Sequence, residues 1–256
     1  PDVIFVPLAR RFCYKDLPVV NMVQGMEPLA YDDRENPLRE RMKNLLRRRA
    51  ARSAAAHADG FIAVSNFVRD FLVNEWSVPV EKIVVAHYGP ADPPGRCLRP
   101  ASVPDDWAGD FIFTAGALRP ARGLEDLVEA IGRLAERNVE ARLVVAGATD
   151  PRMSSYRRAM QARISHHNLR DAVIWTGRLN KEEMDWCYRN CKIFVMTSRV
   201  ESFGMIAMEA MAGGCVCVAA DNPCLPEVFG EASVYYPPKD SAALAAAVER
   251  LLGADS

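Results

Sequence analysis

The chain has 256 residues, of which 50% are hydrophobic and 25% are charged, the proportions of an ordinary soluble globular protein. Its formal net charge of -1 at pH 7 gives no overall attraction to nucleic acid, so we expect no nucleic-acid partner. No apolar run approaches the ~18 residues that a membrane-spanning helix needs, and no signal peptide is visible. We therefore expect a cytoplasmic protein.

The cysteines indicate a reducing compartment. Seven cysteines without framework spacing predict buried free thiols rather than disulfides, and Cys13 stands far from the others. Cys187 and Cys191 lie four positions apart on a predicted helix, but no histidine is near them in the sequence. We therefore expect no metal site.

Strands and helices alternate along the first part of the chain, which predicts a parallel sheet with helices on both faces. Apolar runs predict its strands at 3–6, 19–23, 61–64 and 82–87. A long helix is predicted over 36–57, and a second one begins at Ser65 or Asn66. These elements form a predicted N-terminal domain, residues 1–95, which is Rossmann-like but short for a domain of this kind.

The second part of the chain follows a predicted linker at 96–110. The stretch 91–110 contains four prolines and two glycines, which sustain neither a helix nor a central strand. Residues 111–256 then alternate regularly, which predicts a doubly wound Rossmann-like domain. Its strands are predicted at 111–115, 143–146, 173–176, 193–196, 216–219 and 234–236, and its helices over 124–136, 152–167, 181–190, 203–211 and 241–252.

The loop after the first strand of this domain is rich in glycine and arginine. Gly116 allows a ligand to approach the backbone closely. Arg119 and Arg122 place two permanent cations beside a helix N-terminus, which itself attracts anions. The pattern suits a diphosphate; the alternative is a solvated helix start whose arginines bind nothing.

The segment after the fourth strand carries two glutamates. Ser202 is a suitable N-cap, and Gly204 exposes the amides of the first helical turn. Glu209 lies two turns into an apolar helix, where an unpaired carboxylate is costly, so it needs hydrogen-bond donors. A sugar or ribose diol would supply two donors; the alternative is an ion pair with a neighbouring lysine. The spacing Glu201-x7-Glu209 across a strand-to-helix turn favours the ligand.

This segment resembles family 4 glycosyltransferases, whose C-terminal domain carries a Glu-x7-Glu motif in an E-x-F-G context, here Glu201 and Glu209. Residues 226–228 resemble the family's short helix after the fifth strand, 58–65 the last part of its N-terminal domain, and 87–92 its hinge. The resemblance implies the GT-B type of α/β fold: two Rossmann-like, doubly wound parallel-sheet domains, with the N-terminal one incomplete. We expect a fragment that is truncated at the N-terminus and also at the C-terminus.

The resemblance also implies the roles of single residues. Glu209 would bind the donor ribose, Glu201 would lie by the transferred sugar, and the 177–179 loop would flank the base. Backbone amides of 203–205 would face the sugar and the diphosphate. The predicted catalytic residues are Arg119, Arg122 and Glu201, and the predicted donor-binding residues are Gly116, Arg178, Ser202, Phe203, Gly204, Met205 and Glu209.

The implied reaction is retaining transfer of a hexosyl unit from a UDP- or GDP-linked sugar to a glycan, lipid-linked or small-molecule acceptor. Fixed cations stabilise the leaving diphosphate more in the transition state than in the ground state, so no metal and no cofactor is required. Two positions depart from the family pattern. Ala117 stands where an arginine is usual, with Arg122 in place of a lysine, and Gln24 follows the strand after which many relatives carry a histidine.

Two alternative functions remain. A non-hydrolysing sugar-nucleotide epimerase shares the fold, but it needs acid and base residues from the N-terminal domain. A degenerate sugar-nucleotide-binding subunit without its own activity would agree with Ala117 and with the short N-terminal domain. The presence of both glutamates argues against this second alternative.

A basic helix within 34–52 is the last notable feature. This stretch contains eight basic residues and two acidic ones, and Leu38, Met42, Leu45 and Leu46 form a stripe at helical spacing. We favour a surface helix that packs on the sheet and keeps its arginines in water. The alternative is peripheral docking on an anionic membrane surface, which would suit a lipid-linked acceptor.

Overall fold

The structure, a computed structural model, describes residues 2–12, 16–89, 93, 95–148 and 150–253. Its contacts divide the chain into two units, Pro1–Gly89 with Val200–Gly204, and Pro90–Arg199 with Met205–Ser256. Cys13 and the last three residues of the predicted hinge, 90–92, lie outside the described residues.

The first unit contains a parallel sheet of four strands in the order β1-β2-β3-β4. Ser65 begins the third helix of this unit as an N-cap, because its Oγ accepts a hydrogen bond from the Val68 amide at 3.1 Å. The elements in chain order are β1 Ile4–Val6, β2 Val19–Val23, α1 Glu27–Ala30, α2 Leu38–Ala55, β3 Gly60–Ala63, α3 Asn66–Trp76 and β4 Ile83–Val85.

Helix α2 turns its apolar stripe outward. Its buried residues are small or polar, namely Glu40, Asn44, Ala51, Ala54 and Ala55. The predicted stripe is exposed instead: Leu38 by 68%, Met42 by 62%, Leu45 by 47% and Leu46 by 65%. The helix thus lies on the surface with most of its arginines exposed, but alanines and not the apolar stripe form its packed side, because alanines allow closer packing than the leucines do.

The second unit contains a parallel sheet of six strands in the order β10-β9-β8-β5-β6-β7. The chain therefore passes from one edge strand, β7, back to the middle, where β8 pairs with β5. The elements are β5 Ile112–Ala115, α4 Leu124–Glu136, β6 Leu143–Ala146, α5 Ser154–His166, β7 Val173–Gly177, α6 Lys181–Asn190, β8 Ile193–Met196, α7 Met205–Ala212, β9 Cys217–Ala220, α8 Leu225–Phe229, β10 Ser233–Tyr236 and α9 Ser241–Leu252.

Alternate residues of these strands belong to two separate hydrophobic cores. Ile112 and Ile193 pack in one core, whereas their neighbours Phe113 and Phe194 pack in the other. Burial on both faces explains why these strands are continuous apolar runs. The segment 96–110, which we predict as a linker, packs into the second core through Val103 and Trp107.

Helix α7 begins later than predicted. It starts at Met205 rather than Phe203, because Gly204 adopts a positive φ of 95°, which breaks the helical path. The prediction of Ser202 as its N-cap is therefore wrong. The six described cysteines are free thiols, and the sulfurs of Cys191 and Cys215 lie 3.7 Å apart.

Candidate functional site

The central feature of the second unit is the edge of its sheet where the loops after β5 and β8 interlock. Strands β5 and β8 are neighbours although they are distant in sequence, which makes this edge the topological switch point at which such sheets bind ligands. Thr197 Oγ1 donates a hydrogen bond to the Arg122 carbonyl at 2.6 Å. The Arg199 amide donates to the Ala121 carbonyl at 2.9 Å. The two loops therefore act as one rigid piece.

The structure brings Gly116 and Arg122 together at this edge. The Arg122 side chain lies over Gly116, with its Nε 3.4 Å from where a Cβ would stand. Arg122 Nη1 also donates to Ser198 Oγ at 3.1 Å. A cation and a bare glycine backbone at one spot form a place where an anion can approach both.

Arg119 occupies the same loop and is half-buried. The Arg152 guanidinium holds the pKa of Asp150 at about 2, and the positive charge of Arg119 contributes to this shift. Ala117 is exposed, so the position at which the family usually has an arginine faces solvent without a charge. The loop therefore carries two arginines, and Arg119 stands two positions after the place where the family usually has its arginine.

The N-terminus of α4 is partly engaged within the protein. The Leu124 amide donates to the Tyr156 hydroxyl at 3.2 Å, and the Asp126 amide donates to the Gly123 carbonyl at 3.0 Å. These amides are not available to a diphosphate in this arrangement. The anion-binding argument therefore rests on the two arginine side chains rather than on the helix terminus.

A buried ion cluster, which the sequence did not indicate, fixes the β8 loop. The Arg199 side chain is 6% exposed and donates to Asp126 and, at 3.0 Å, to Glu125. Burial disfavours its charge, but the hydrogen bonds and charges of both carboxylates prevail and raise the pKa of Arg199. Asp126 also accepts from the Tyr236 hydroxyl at 3.1 Å. The available signal was the pair of acidic residues in the first turn of α4.

Glu209 has a hydrogen-bond donor that the sequence analysis did not foresee. The Tyr188 hydroxyl, on α6, donates to Glu209 Oε2 at 2.9 Å. Burial and then the charge of Glu209 raise the pKa of Tyr188, so the hydroxyl stays protonated and keeps donating. Among the described residues no donor reaches Oε1, so a half-buried carboxylate is held in place with one oxygen still able to accept.

The segment Val200–Gly204, which contains Glu201, groups with the first unit by its contacts. Ser202 Oγ donates to the Gln24 carbonyl at 2.7 Å, and the Ser202 carbonyl accepts from Ser65 Oγ at 2.6 Å. The Phe203 ring packs on Tyr88 with ring centroids 5.3 Å apart. Ser202 is therefore a tether rather than a helix cap.

Two further predicted positions are exposed. Arg178 follows β7 directly after Gly177, whose φ is 73°. Gln24 follows β2, and its side chain is fixed at both ends: Nε2 donates to the Pro7 carbonyl at 3.1 Å, and Oε1 accepts from the Tyr88 hydroxyl at 3.0 Å. Among the described residues no group of three or more histidine, cysteine, aspartate or glutamate side chains could hold a metal ion.

The fold agrees with solved glycosyltransferase structures of the GT-B class. A sucrose-phosphate synthase from Thermosynechococcus elongatus matches with a TM-score of 0.72 and 21% identity over 93% of this chain and 59% of its own. Anabaena HepE in complex with UDP and glucose matches with a TM-score of 0.74 and 19% identity over 93% of this chain and 63% of its own. Two parallel-sheet units of this kind define a GT-B protein.

Family models then give the family. One described as glycosyl transferases group 1 matches residues 106–255, and one described as Glycosyltransferase Family 4 matches residues 1–89. The chain therefore belongs to the family 4, or group 1, glycosyltransferases, which confirms the family predicted from the sequence.

The curated relatives are longer than this chain. Mannosylfructose-phosphate synthase of Agrobacterium fabrum is 35% identical over 109 residues, which are 41% of this chain and 24% of the relative. The uncharacterized glycosyltransferase YqgM of Bacillus subtilis is 26% identical over 206 residues, which are 80% of this chain and 53% of the relative. The chain thus spans about half or less of these relatives.

Proposed function

We infer that this chain carries the donor-binding part of a glycosyltransferase that moves a hexosyl unit from a nucleotide-diphosphate sugar with retention of the anomeric configuration. The observation that carries this proposal is the Glu209 carboxylate, held by Tyr188 through Oε2 at 2.9 Å. HepE, which shares the fold, was solved with UDP and glucose, and this supports a nucleotide-sugar donor.

Glu209 is suited to bind the ribose of the donor. A ribose offers two neighbouring hydroxyl donors, and a carboxylate accepts hydrogen bonds at both oxygens. Tyr188 orients the carboxylate and satisfies one lone pair, so binding does not have to pay for ordering this side chain. Among the described residues the partner of Glu209 is the Tyr188 hydroxyl and not a lysine, which supports ligand binding over the ion pair that the sequence left open.

The loop after β5 is suited to the diphosphate. When the sugar leaves, negative charge grows on the diphosphate, and fixed cations stabilise the transition state more than the ground state. Arg122 is already oriented by Ser198 at 3.1 Å, so little reorganisation is needed. Arg119 supplies the second charge, and with both arginines the reaction proceeds without a metal or another cofactor.

The remaining roles follow the family resemblance. Glu201 acts on the transferred sugar, the amides of 203–205 contact sugar and phosphate, and Arg178 flanks the base. Gly204 has a positive φ of 95°, so the helix begins only at Met205, and the lack of a side chain at Gly204 allows a ligand to approach the backbone. Ser202 keeps an oxygen that can accept a hydrogen bond while its proton is donated to Gln24.

A screen of nucleotide sugars tests the proposal. We expect one UDP- or GDP-linked hexose at a hundred times its dissociation constant to stabilise the folded chain by ~2.7 kcal/mol. The anomeric configuration of a transferred product is then read by NMR. If no nucleotide sugar raises the melting temperature, the proposal is overturned. Binding without any transfer would favour the degenerate subunit, and donor turnover without an acceptor would favour the epimerase.

The exposed stripe of α2 supports a second, weaker proposal, peripheral docking of a cytoplasmic protein on an anionic membrane. Leu38, Met42, Leu45 and Leu46 are exposed by 47–68% beside exposed arginines of the same helix. A helix with apolar and cationic side chains on its outer surface binds lipid interfaces through both. No helix in the described part of the chain is long and apolar enough to cross a membrane.

A further inference from the structure

The first unit contains a large cleft that no predicted site residue explains. Its volume is about 850 Å³. It is lined by the loop after β1, Leu8–Arg11, by the residues at and after the end of β2, 23–25, by α1, and by one side of α2 between Lys43 and Ser53. A cleft of this size holds a small molecule rather than water alone.

The cleft lies on the ligand-binding side of its sheet. Strands β1 and β2 are parallel, so the loops that follow them meet at the edge formed by the carboxyl ends of the strands. Residues 8–11 and 24–25 are those loops, and both line the cleft. Open parallel sheets bind their ligands beyond this edge. The position of the cleft is therefore that of a binding site.

The charges that line the cleft are all positive. Arg10, Arg11, Lys43 and Arg47 face it, and no aspartate or glutamate is among its lining residues. Arg47 Nη1 is shared with Glu40 Oε1 at 3.4 Å and Asn44 Oδ1 at 3.2 Å. Within the described residues, no carboxylate pairs with Arg10, Arg11 or Lys43. Four cations with so little compensation indicate an anionic ligand.

The other wall of the cleft is apolar. Leu8, Leu29, Leu46 and Ala50 line it, so the ligand presents a non-polar face as well as a charge. Gln24 also lines the cleft, and its amide is fixed by Pro7 and Tyr88, which gives the site one oriented polar group. A sugar ring with a phosphate group matches this combination of surfaces.

We propose that this cleft binds the acceptor and that the acceptor carries a phosphate group. The identity of the ligand as an acceptor rests on the proposed transferase function, whereas the expectation that the cleft binds phosphate rests on the residues of the cleft alone. The phosphate belongs either to a soluble sugar phosphate, which is a phosphomonoester, or to the headgroup of an anionic lipid, which is a phosphodiester, and both present negatively charged phosphate oxygens to the four cations. The matched ligands described next separate the two sources.

Calorimetry with matched ligands tests the binding. Hexose 6-phosphates are compared with the same hexoses, and water-soluble dihexanoyl phosphatidylglycerol is compared with dihexanoyl phosphatidylcholine. We expect at least one of the two anionic ligands to bind much more tightly than its partner, and to weaken as salt rises, because salt screens exposed charges. Equal affinity within both pairs overturns the proposal.

Charge reversal within one helix locates the site. Lys43→Glu removes a lining charge, whereas Arg49→Glu makes the same change of net charge on the same helix outside the cleft. We expect Lys43→Glu, and likewise Arg10→Glu, to weaken binding of the anionic ligand about tenfold or more, because each change replaces an attracting charge of the cleft with a repelling one. We expect Arg49→Glu to change it by about twofold at most. An equal loss in Arg49→Glu overturns the assignment to the cleft.

Donor binding by the same variants separates this proposal from the function on which it rests. We expect Lys43→Glu and Arg10→Glu to bind the nucleotide sugar as the parent chain does, because the donor residues lie in other loops. If phosphate ligands bind the cleft and no nucleotide sugar binds, the transferase proposal fails and the phosphate site stands. If nucleotide sugars bind and neither anionic ligand does, the cleft proposal fails alone.

Discussion

At the scale of single residues, the hydrogen bond from Tyr188 fixes the carboxylate of Glu209, the residue that we propose to bind the donor ribose. A tyrosine hydroxyl whose pKa is raised by burial and by the carboxylate remains a donor at any physiological pH. It orients the Glu209 carboxylate through Oε2 and leaves Oε1 able to accept a further hydrogen bond. By their contacts Glu201 groups with the first unit and Glu209 with the second, and we propose different roles for them, so their variants should fail in different ways.

Glu209→Gln should weaken donor binding. The change keeps the shape but removes the charge from hydrogen bonds that contribute ~1.5–3 kcal/mol each, so donor affinity should fall about tenfold to a hundredfold. Because the ribose does not react, turnover at saturating donor should change less. Calorimetry and steady-state rates measure the two quantities. An unchanged donor affinity in a folded Glu209→Gln variant would make Glu209 a structural carboxylate.

Glu201→Gln is the matched control for this experiment. The same substitution at the other end of the motif should lower turnover more than it weakens binding, since Glu201 is proposed to act on the transferred sugar. Tyr188→Phe adds a positioning test: it removes only the hydroxyl that orients Glu209, so it should raise KM with little effect on kcat. Identical losses in all three variants would point to unfolding rather than to separate roles.

Arg199 contributes to stability rather than to binding. Arg199→Met should destabilise the second unit by about 3–5 kcal/mol, because the buried Asp126 and the half-buried Glu125 would lose their cation. Urea unfolding measures the loss. Arg137→Met is a suitable control, since its ion pair with Glu249 is exposed and such pairs contribute less than about 1 kcal/mol. Equal effects of the two changes would contradict the buried cluster.

At the scale of elements, α2 is a helix with two different surfaces. Its alanines allow close packing, while its leucines and arginines face outward. Arg48 belongs to neither surface, because it donates to the carbonyls of Pro28 at 2.7 Å and Tyr31 at 2.6 Å and so holds the preceding loop. Any test of membrane docking must therefore leave Arg48 in place.

The docking of α2 is measured by co-sedimentation with vesicles of phosphatidylglycerol or phosphatidylcholine. We expect binding to the anionic vesicles alone, with release at high salt. Arg39→Glu with Arg41→Glu should weaken it at least about thirtyfold, at ~1 kcal/mol for each basic residue. Arg158→Glu with Arg170→Glu changes the net charge equally on exposed positions of the second unit and should have little effect. Equal binding to both vesicle types would refute the proposal.

At the scale of the whole molecule, the sequence predicted the features that local residue patterns determine, such as the positions of the strands. The strands of the second unit were predicted to within two residues, because strands buried on both faces are continuous apolar runs. Partners distant in the sequence were missed: Tyr188 is 21 residues from Glu209, and Asp126 is 73 from Arg199. The hydrophobic periodicity of the sequence is local and does not reveal such pairs. The outward orientation of the apolar stripe of α2 was missed for another reason. Helical spacing shows which residues share a face, but it does not show whether that face packs against the protein.

The candidate site was predicted only in part. Gly116 and Arg122 do meet beside Ser198, whereas Ser202 donates to Gln24 instead of capping a helix. The roles of Glu201, Glu209, Arg119 and Arg178 stay predictions until the variants are measured. Ser202 could not have been placed from its neighbours alone, because a positive φ at Gly204 delays the helix and redirects the preceding residues.

The close packing of the backbone around Gly147 limits which residues can occupy position 147. A Cβ there would stand 1.8 Å from the carbonyl oxygen of Gly116, far inside contact distance, and its φ of 159° is itself unusual for other residues. Gly147 touches no proposed ligand, yet any replacement would push the Gly116 backbone out of place. We therefore expect no substitution at position 147 to be neutral, whether it arises in evolution or in the laboratory. A library of variants built to change donor preference should keep Gly147 constant while it varies the exposed Ala117.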